Sequence, residues 1–416
     1  MFEFVMTEEQ KKLRDEVRDF IKSVPRKLVL DMDKDLIRFP KEFLQEAGRR
    51  NLMGCRYPKE WGGRGMDWVS TGIVMEEVGA IGYELACVFG VGAELVCDAI
   101  IQHGTVEQKE KYVKPLLKGE IFAAECLTEP RGGSDFFGAT TRAEDKGDYF
   151  LLNGQKRFIV GGEGADYFLV YARTNFAPNA KPQESITAFI VDRGPGVETK
   201  YLYNLMGCRG GGTARLIFRD VKVPKENVLG EVNGAYEVFN TMMVPERLGT
   251  AIMTIGSART ALEIATYYTS RRKAFGRTIN QFQGVSFQVA EAAMLLDAAR
   301  AMGYATCRAV DAKVDTNLIR RMVSESKKFI TEACQKVVHN AMQVVGGIGY
   351  TNVFPLERIY RDIRLATIWT GTSEVMSMII AHEWYRECLT ERVRAKKRDF
   401  EADAEEAFAE EEKIYE

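Results

Sequence analysis

A glutamate and an arginine, Glu246 and Arg247, stand side by side in the otherwise apolar stretch MMVPERLGT at 242–250. A carboxyl group in a dry, apolar pocket has a raised pKa and can accept a proton near neutral pH. An acid-base pair among residues otherwise suited to burial therefore needs an explanation. One explanation is a helix start, because Pro245 suits the first turn of a helix and an acid there complements the helix dipole.

A second candidate site is the segment ECLTEPRGGSD at 125–135. Glycines 132 and 133 let the backbone approach a ligand closely, and the hydroxyl groups of Thr128 and Ser134 offer hydrogen bonds. An ordinary glycine-rich turn is the alternative. The segment is neither a P-loop nor a Rossmann fingerprint, because no GK[ST] follows it and no GxGxxG opens a βαβ unit.

Three blocks of secondary structure must position these candidates. Residues 1–120 show helical periodicity, residues 121–233 are rich in short β segments bounded by turns, and residues 234–390 are helical again. Residues 391–416 form a charged tail. The chain therefore reads as helical, β and helical domains in that order.

Two local signals make sharper predictions. Thr7 and Gln10 fit a capping box at the start of the first helix. Asn153 and Gly154 lie between two apolar runs, and this pattern predicts a hairpin turn.

The bulk composition excludes several classes of function. A net charge of -2 argues against a general nucleic-acid binder. Apolar runs are broken well before the roughly 20 residues of a membrane span, and the start MFEFVMTEEQ is neither a signal peptide nor a transit peptide. The eight cysteines contain no CxxC pair, which favours reduced thiols in a cytoplasmic protein. Three dispersed histidines predict no metal site.

The stretch QVVGGIGYTNVFPLERIYRDIRLATIWTGTSEV at 343–375, together with ECLTEPRGGSD, resembles the acyl-CoA dehydrogenase family. Further matches follow in order: NGQKRFI at 153–159, MGCRGGGTARLIFRDVKVP at 206–224, RRKAFGR at 271–277 and QFQGVSFQVAE at 281–291. The resemblance implies an α+β fold with an N-terminal helical domain, a middle β-barrel or sandwich domain and a C-terminal four-helix bundle. It also implies FAD-dependent α,β-dehydrogenation of an acyl-CoA thioester.

The resemblance implies that FAD is bound at three places. Contacts with the isoalloxazine end are expected from Leu127, Thr128, Gly133, Ser134, Phe158 and Val160. Val160 replaces a hydroxyl residue that is usual in the family, which removes one hydrogen-bond donor near the flavin. A neighbouring subunit of a homotetramer is expected to contribute Arg272, Phe282 and Gln283. The remaining phosphate and adenosine contacts are expected from Gln343, Gly346, Gly347, Thr372 and Glu374.

The usual catalytic base of the family is absent from its usual place. Most members carry a glutamate immediately before the Gly-Thr of 371–372, where this chain has Thr370, whose hydroxyl group is far too weak a base. A minority, isovaleryl-CoA dehydrogenase among them, carries the glutamate immediately before an arginine, as in Glu246-Arg247. The resemblance therefore assigns proton abstraction to Glu246, and it implies that the backbone N–H at position 370 binds the thioester oxygen. Substrate contacts are implied for Ser134, Val244, Arg247, Thr370 and Gly371.

The acyl group is expected to be branched or ring-bearing. Thr370 is smaller than the usual glutamate, and the helix at 84–98 offers small residues at the pocket floor: Ala86, Cys87, Gly90, Gly92 and Ala93. Close helix packing is the alternative reason for these small residues. This helix has no arginine, which disfavours a glutaryl substrate, while a substituted succinyl thioester such as benzylsuccinyl-CoA stays open.

Electron-transferring flavoprotein is the expected electron acceptor, because the chain lacks the extra C-terminal domain of the peroxisomal acyl-CoA oxidases. A catalytically degenerate family member with a binding role is the rival interpretation. The intact FAD segments and the compensating Glu246 argue against it.

Overall fold

The computed structural model describes residue 3 and residues 6–390. The N-terminal part consists of eight α-helices: α1 Glu8–Ser23, α2 Arg26–Asp33, α3 Lys41–Arg49, α4 Trp68–Ile81, α5 Tyr83–Gly90, α6 Cys97–His103, α7 Val106–Gln108 and α8 Lys114–Leu117. Wide π-helical turns join α5 to α6 at Val91–Val96 and α7 to α8 at Lys109–Val113. The capping box at Thr7 and Gln10 begins α1, as predicted.

The middle part is a mixed β-sheet. Its strands are β1 Ala123–Cys126, β2 Arg142–Asp145, β3 Tyr149–Ile159, β4 Tyr167–Arg173, β5 Ile186–Asp192, β6 Val197–Leu202, β7 Ala214–Pro224 and β8 Val228–Leu229. The strand order is β6-β7-β3-β2-β4-β5-β8, with β1 paired parallel to β4. One face of β1 and β4 packs into the sheet's own core, and the other packs against the helices. This second face is the one that borders the candidate site.

The hairpin predicted at Asn153 and Gly154 is wrong. Strand β3 runs through both residues, and its pairing with β7 is interrupted by a bulge between Leu152 and Gly154. Gly154 has φ of +152°, and a Cβ on it would lie 2.5 Å from Thr141 Oγ1. Glycine is therefore required by a bulge and a close contact inside the strand.

The C-terminal part is helical: α9 Ala235–Thr269, α10 Gln283–Asp311, α11 Thr316–Val345, α12 Leu356–Ile363 and α13 Ser373–Cys388. Two short strands, β9 Lys273–Ala274 and β10 Arg277–Thr278, lie between α9 and α10. The three-part order of helical, sheet and helical domains confirms the predicted fold class. The predicted domain boundaries stay predictions, and the charged tail at 391–416 lies outside the described residues.

The helix start predicted as an alternative at Pro245 is wrong. Helix α9 begins ten residues earlier, at Ala235, and continues through Pro245. Proline has no N–H to donate within the helix, so the bond to the preceding turn is missing at this point. Glu246 therefore lies in the interior of a long helix, and capping does not explain its presence.

Helix α9 packs closely across α4. A Cβ on Gly256 would lie 2.0 Å from the backbone oxygen of Glu76, and a Cβ on Gly79 would lie 2.3 Å from that of Met253. Glycines at both positions let the two backbones touch, which fixes α9 against the N-terminal helices. Across residue 3 and residues 6–390, the helices are all too short or too polar to cross a lipid bilayer.

Candidate active site

A cavity of about 610 Å³ lies between the sheet and the helices. Its walls come from β1 and the loop after it, α5 with the π-helical turn, α9, and the segment that leads into α13. The cavity collects the following predicted site residues: Leu127, Thr128, Gly133, Ser134, Phe158, Val160, Glu246, Arg247, Thr370, Gly371 and Thr372. Residues up to 245 positions apart in the sequence thus meet in one place.

Other predicted site residues do not line this cavity: Val244, Arg272, Phe282, Gln283, Gln343, Gly346, Gly347 and Glu374. Val244 is turned about 100° around α9 from Met243, which does face the cavity. Arg272 is exposed on the connection between α9 and α10. A Cβ on Gly346 or Gly347 would meet nothing within 4 Å. All of these residues except Val244 and Phe282, which are half-buried, are exposed on one protomer. The substrate contact of Val244 and the FAD contacts of the others stay predictions.

Helix periodicity aims Glu246 at the cavity. Phe239, Met243, Glu246 and Thr250 recur at helical spacing on α9 and all line the cavity. The Oε2 atom of Glu246 is buried, and no hydrogen-bond partner reaches it. Burial raises the pKa of Glu246 to about 7, against the attraction of Arg247 and Lys327. The carboxyl group can therefore accept or release a proton near neutral pH.

The turn opposite Glu246 has an uncommon backbone. Thr370 has φ of +56° and Gly371 has φ of +89°, and such left-handed geometry is strained for a β-branched residue. Lys327, which is fully buried, donates a hydrogen bond from Nζ to the Gly371 oxygen at 2.6 Å. A Cβ on Gly371 would lie 3.8 Å from Arg247 Nη2. Lys327 thus holds this turn beside the candidate base, and Arg247 lies next to it.

The segment that leads into α13 also supplies a helix N-terminus. Thr372 caps α13 by accepting a hydrogen bond from the Val375 N–H at 3.2 Å. The hydroxyl groups of Thr370 and Ser373 are buried and lack partners among residue 3 and residues 6–390. Free N–H groups and hydroxyls at a helix N-terminus suit an anionic or polar ligand.

An ion pair and hydrogen bonds hold the loop after β1 against strand β3. Glu129 pairs with Lys156 at 2.8 Å, and Lys156 also donates to the Leu127 oxygen at 3.1 Å. The Arg157 N–H donates to the Thr128 oxygen at 2.9 Å. Gly133 of this loop lines the cavity, and a Cβ on it would meet only a Thr128 methyl group at 3.8 Å.

The residues of this wall fit the expected flavin. Phe158 has φ of +57° and is 47% exposed, so an aromatic face is held out from a bulge of β3. Val160 is half-buried beside it, and the Arg157 Nε atom is buried without a partner. A flat apolar surface with an unused N–H donor is suitable for a ring system with polar edges. Within the described part of the chain, no cluster of His, Cys, Asp or Glu could hold a metal ion.

The small residues predicted for the pocket floor divide into two groups. Ala86, Cys87 and Gly90 line the cavity. Gly92 and Ala93 do not, and a Cβ on Gly92 would lie 3.6 Å from Leu116 Cδ1. The residues that line the floor are therefore small, whereas Gly92 and Ala93 are buried away from the cavity.

Two acids of this helical segment also line the cavity. Glu94 is paired with Arg56. Burial, followed by the charge of Asp362, raises the pKa of Glu84 to about 8. Neither acid shares the α9 face that presents Glu246.

Sequence reasoning missed Glu125, Arg157 and Lys327. Glu125 lines the cavity from β1, where alternation turns Ala124 and Cys126 into the sheet core and Glu125 the other way. A single acid within FAAEC was a usable signal, because a strand this apolar buries both of its faces.

Comparison with known proteins covers most of the chain. Models of the acyl-CoA dehydrogenase N-terminal, middle and C-terminal domains match residues 7–120, 124–221 and 234–384. The CarC subunit of the caffeyl-CoA reductase-Etf complex of Acetobacterium woodii is 37% identical over 376 residues, which are 90% of this chain and 98% of that protein. The 3-(aryl)acrylate reductase of Clostridium sporogenes is 35% identical, with the same coverage of both chains. The structure of butyryl-CoA dehydrogenase from Megasphaera elsdenii matches with a TM-score of 0.86 at 31% identity, covering 92% of this chain and 99% of that one.

Proposed function

Because the chain belongs to the acyl-CoA dehydrogenase family, whose members are FAD-dependent oxidoreductases of acyl-CoA thioesters, we propose a ring-bearing or branched acyl group as its substrate and Glu246 as its base. The observation that carries this proposal is the buried, unpartnered carboxyl group of Glu246 in a cavity that has Thr370, and no acid, on the opposite turn. FAD, when bound, supplies the acceptor for the hydride that leaves the β carbon.

Glu246 takes the α-proton of the thioester in this proposal. A raised pKa of about 7 makes its carboxylate a stronger base than an exposed glutamate, whose pKa is about 4.3. The backbone N–H at position 370 stabilises the negative charge that develops on the thioester oxygen. Lys327 contributes by holding the carbonyl of Gly371 and hence the orientation of the turn. The apolar lining keeps water away from these groups.

The width of the floor supports a broad acyl group. Ala86, Cys87 and Gly90 leave room on the helical side, and Thr370 occupies less volume than a glutamate would on the other. Relatives named for caffeyl-CoA and for 3-(aryl)acrylates carry ring-bearing substrates in their names. A substituted succinyl thioester such as benzylsuccinyl-CoA is the alternative. Arg157, which lines the cavity and whose Nε atom has no partner among the described residues, would then pair with its carboxylate.

Anaerobic bleaching of the bound flavin tests the substrate proposal. We expect 3-phenylpropanoyl-CoA or a branched acyl-CoA to reduce the flavin faster than butyryl-CoA or octanoyl-CoA. A linear thioester that wins by tenfold or more in kcat/KM overturns the proposal. A protein that binds FAD but is bleached by none of these thioesters supports the rival interpretation of a degenerate family member.

Reduction of an unsaturated thioester is a second candidate direction, because two of the relatives are named as reductases. Protonated Glu246 would then deliver a proton to the α carbon, which is the same step reversed. Electron-transferring flavoprotein is the proposed redox partner in either direction, supported by a relative that is named as a subunit of an Etf complex. Mixing the protein with oxidised or reduced electron-transferring flavoprotein, with each thioester present, identifies the faster direction.

We also propose a homotetramer in which a neighbouring subunit completes the FAD site. Phe275 is 94% exposed and lies near Arg272, which is expected to bind FAD across the interface. Tyr350 is 81% exposed and follows Gly347, which is expected to contribute to the remaining FAD contacts. Contiguous exposed apolar patches mark surfaces that associate. Light scattering that shows a monomer with full flavin occupancy would contradict this proposal.

A further inference from the structure

A second carboxyl group faces the cavity, and the mechanism above does not use it. Glu125 lies on β1, which pairs parallel to β4 with Glu125 opposite Leu169. Strand alternation places Glu125 on the same face as Tyr171, while Cys126 points into the sheet core. Glu125 therefore projects from the sheet towards α9 and shares the cavity with Glu246.

The Oε1 atom of Glu125 is buried, and no group in the described chain forms a hydrogen bond with it. A buried polar atom without a partner is destabilising. Glu94, which lines the same cavity, is compensated by its ion pair with Arg56. Glu125 has no such partner, so a bound ligand is the natural source of its hydrogen bonds.

The charge state of Glu125 narrows the chemistry of that ligand. Burial and then the negative charge of Glu246 raise the pKa of Glu125 well above its usual range. A protonated carboxyl group offers one O–H donor and a carbonyl acceptor. A hydroxyl group on the ligand also has one donor and an acceptor, so it can bond both functions of Glu125. A carboxylate on the ligand has acceptors alone and would bring a second negative charge next to Glu246.

Aromatic rings form the wall beside Glu125. Tyr171 lies on the neighbouring strand β4, two residues beyond Leu169, the partner of Glu125, and on the same face. Burial and then the charge of Glu125 raise the pKa of Tyr171. Phe136 contacts Tyr171 edge-on, with 5.3 Å between ring centroids, and stacks on Phe239 at 4.4 Å. Phe136 and Phe239 both line the cavity. A flat apolar wall next to one polar group suits a ring that bears one polar substituent.

We propose that Glu125 selects acyl groups that carry a hydroxyl group beyond the reacting carbons, by exchanging hydrogen bonds with that hydroxyl. The inference rests on the proposed function, since it requires the acyl group to occupy this cavity. Glu125 acts on specificity in this assignment, and Glu246 remains the base.

The test compares 3-phenylpropanoyl-CoA with 3-(4-hydroxyphenyl)propanoyl-CoA in anaerobic flavin reduction. The parent protein should prefer the hydroxylated thioester by at least about 10-fold in kcat/KM, because a site built to bond a hydroxyl discriminates strongly against its absence. Glu125→Leu should bring the ratio to about 1, mainly through KM. Glu125→Gln keeps a donor and an acceptor and should restore most of the preference.

Glu84→Gln is the matched control, because it neutralises another acid of the same cavity and should keep the parent's ratio. Flavin content and melting temperature identify any variant that fails to fold. If a variant fails, the ratio of kcat/KM values for the two thioesters in the parent protein alone tests the inference. A parent ratio of 1 or less, an unchanged ratio in Glu125→Leu, or a stronger preference for the 4-amino analogue overturns the inference. Equal reduction by both thioesters leaves the proposed function standing, whereas no reduction by either removes the proposed function and the inference with it.

Discussion

Two glutamates with buried carboxyl oxygens lie at helix α9: Glu76 packs against it from α4, and Glu246 is part of α9 itself. Their surroundings are opposite. Glu76 accepts hydrogen bonds from Arg300 at 2.9 Å, Tyr304 at 2.9 Å and Arg259 at 3.1 Å. Burial alone would raise its pKa, but Arg300 and Arg259 hold the pKa of Glu76 below its usual value. Glu246 has Arg247 and Lys327 nearby, yet its Oε2 atom bonds to nothing and its pKa is raised to about 7.

The difference shows that direct hydrogen bonds, and not burial, decide whether the pKa of a buried carboxyl group is lowered or raised. The partners of Glu76 keep it permanently charged and fasten α4, α9 and α10 together. Neither cation near Glu246 bonds its Oε2 atom: Lys327 bonds the Gly371 oxygen, and the Nε atom of Arg247 is buried without an acceptor among the described residues. One glutamate is therefore structural, and the other is left free to exchange a proton.

The largest effect is expected for Glu246→Gln, which keeps the shape of the side chain but removes the base. Flavin reduction by the preferred thioester should slow by roughly 10²-fold to 10⁴-fold, as for the loss of a general base. Stopped-flow measurement of flavin bleaching checks this, with FAD content unchanged as the control.

Adding Thr370→Glu to this variant should restore part of the activity, mostly for slim substrates, since the new carboxylate occupies space beside the acyl group. Flavin reduction at the parent rate in Glu246→Gln would show that the base lies elsewhere, with Glu84 the first acid to examine.

The next largest effect is expected for Glu76→Gln, and it concerns stability. Losing one partner of a buried ion pair costs about 3–5 kcal/mol, and this substitution removes the carboxylate that Arg300 and Arg259 share, although Arg259 keeps its ion pair with Glu77. The midpoint of thermal unfolding should fall by several degrees. Glu120→Gln, a neutralised exposed acid, is the control and should leave the midpoint unchanged. An unchanged midpoint in Glu76→Gln would mean that the network does not stabilise the helix contacts.

The pH dependence of catalysis sharpens the contrast further. Glu246 must be unprotonated to accept the α-proton, so flavin reduction should rise with pH through about 7 and fall nearly tenfold per pH unit below about 6. The rate constant for flavin bleaching, measured from pH 5.5 to 8.5 at saturating thioester, gives this profile. A flat profile over that range would contradict a base with a raised pKa.

The smallest effect is a stability change of opposite sign to that of Glu76→Gln. The pKa of Glu246 is raised on folding, so its contribution to stability is present at low pH and is lost as the pH rises through about 7. Glu246→Gln removes this buried charge and should therefore melt higher than the parent at pH 8, with little difference at pH 5. A lower melting point at pH 8 would show that Arg247 and Lys327 stabilise the charged form more than burial opposes it.

The sequence predicted best those site residues that lie close together in the chain. Thr128, Ser134 and the Thr370-Gly371 turn were predictable because each sits in a short segment that resembles a known family, and the order of domains followed from hydrophobic periodicity. Glu246 was nominated from its pairing with Arg247 in the chain. Its role as base stays a prediction, but its place on the cavity wall agrees with it.

Long-range contacts and backbone geometry were beyond local rules. The contact between Glu76 and Arg300 joins residues 224 positions apart, which no local pattern encodes. Asn153 and Gly154 form a common turn pair, yet the pairing with β7 keeps them in a strand. Pro245 is an expected helix starter, but packing across α4 sustains α9 on both sides of it. In each case tertiary contacts outweighed local preference.

The bond from Lys327 to the Gly371 oxygen has an evolutionary consequence. It grips a carbonyl group, which every residue type possesses, so the path of the turn does not depend on the side chain that stands at position 370. Mutation at 370 can therefore change the side chain while the N–H at that position keeps its direction. A lineage that acquires a carboxylate on α9 is then free to lose one at 370, and the base can migrate between two elements of the fold without a rebuilding of the backbone around it.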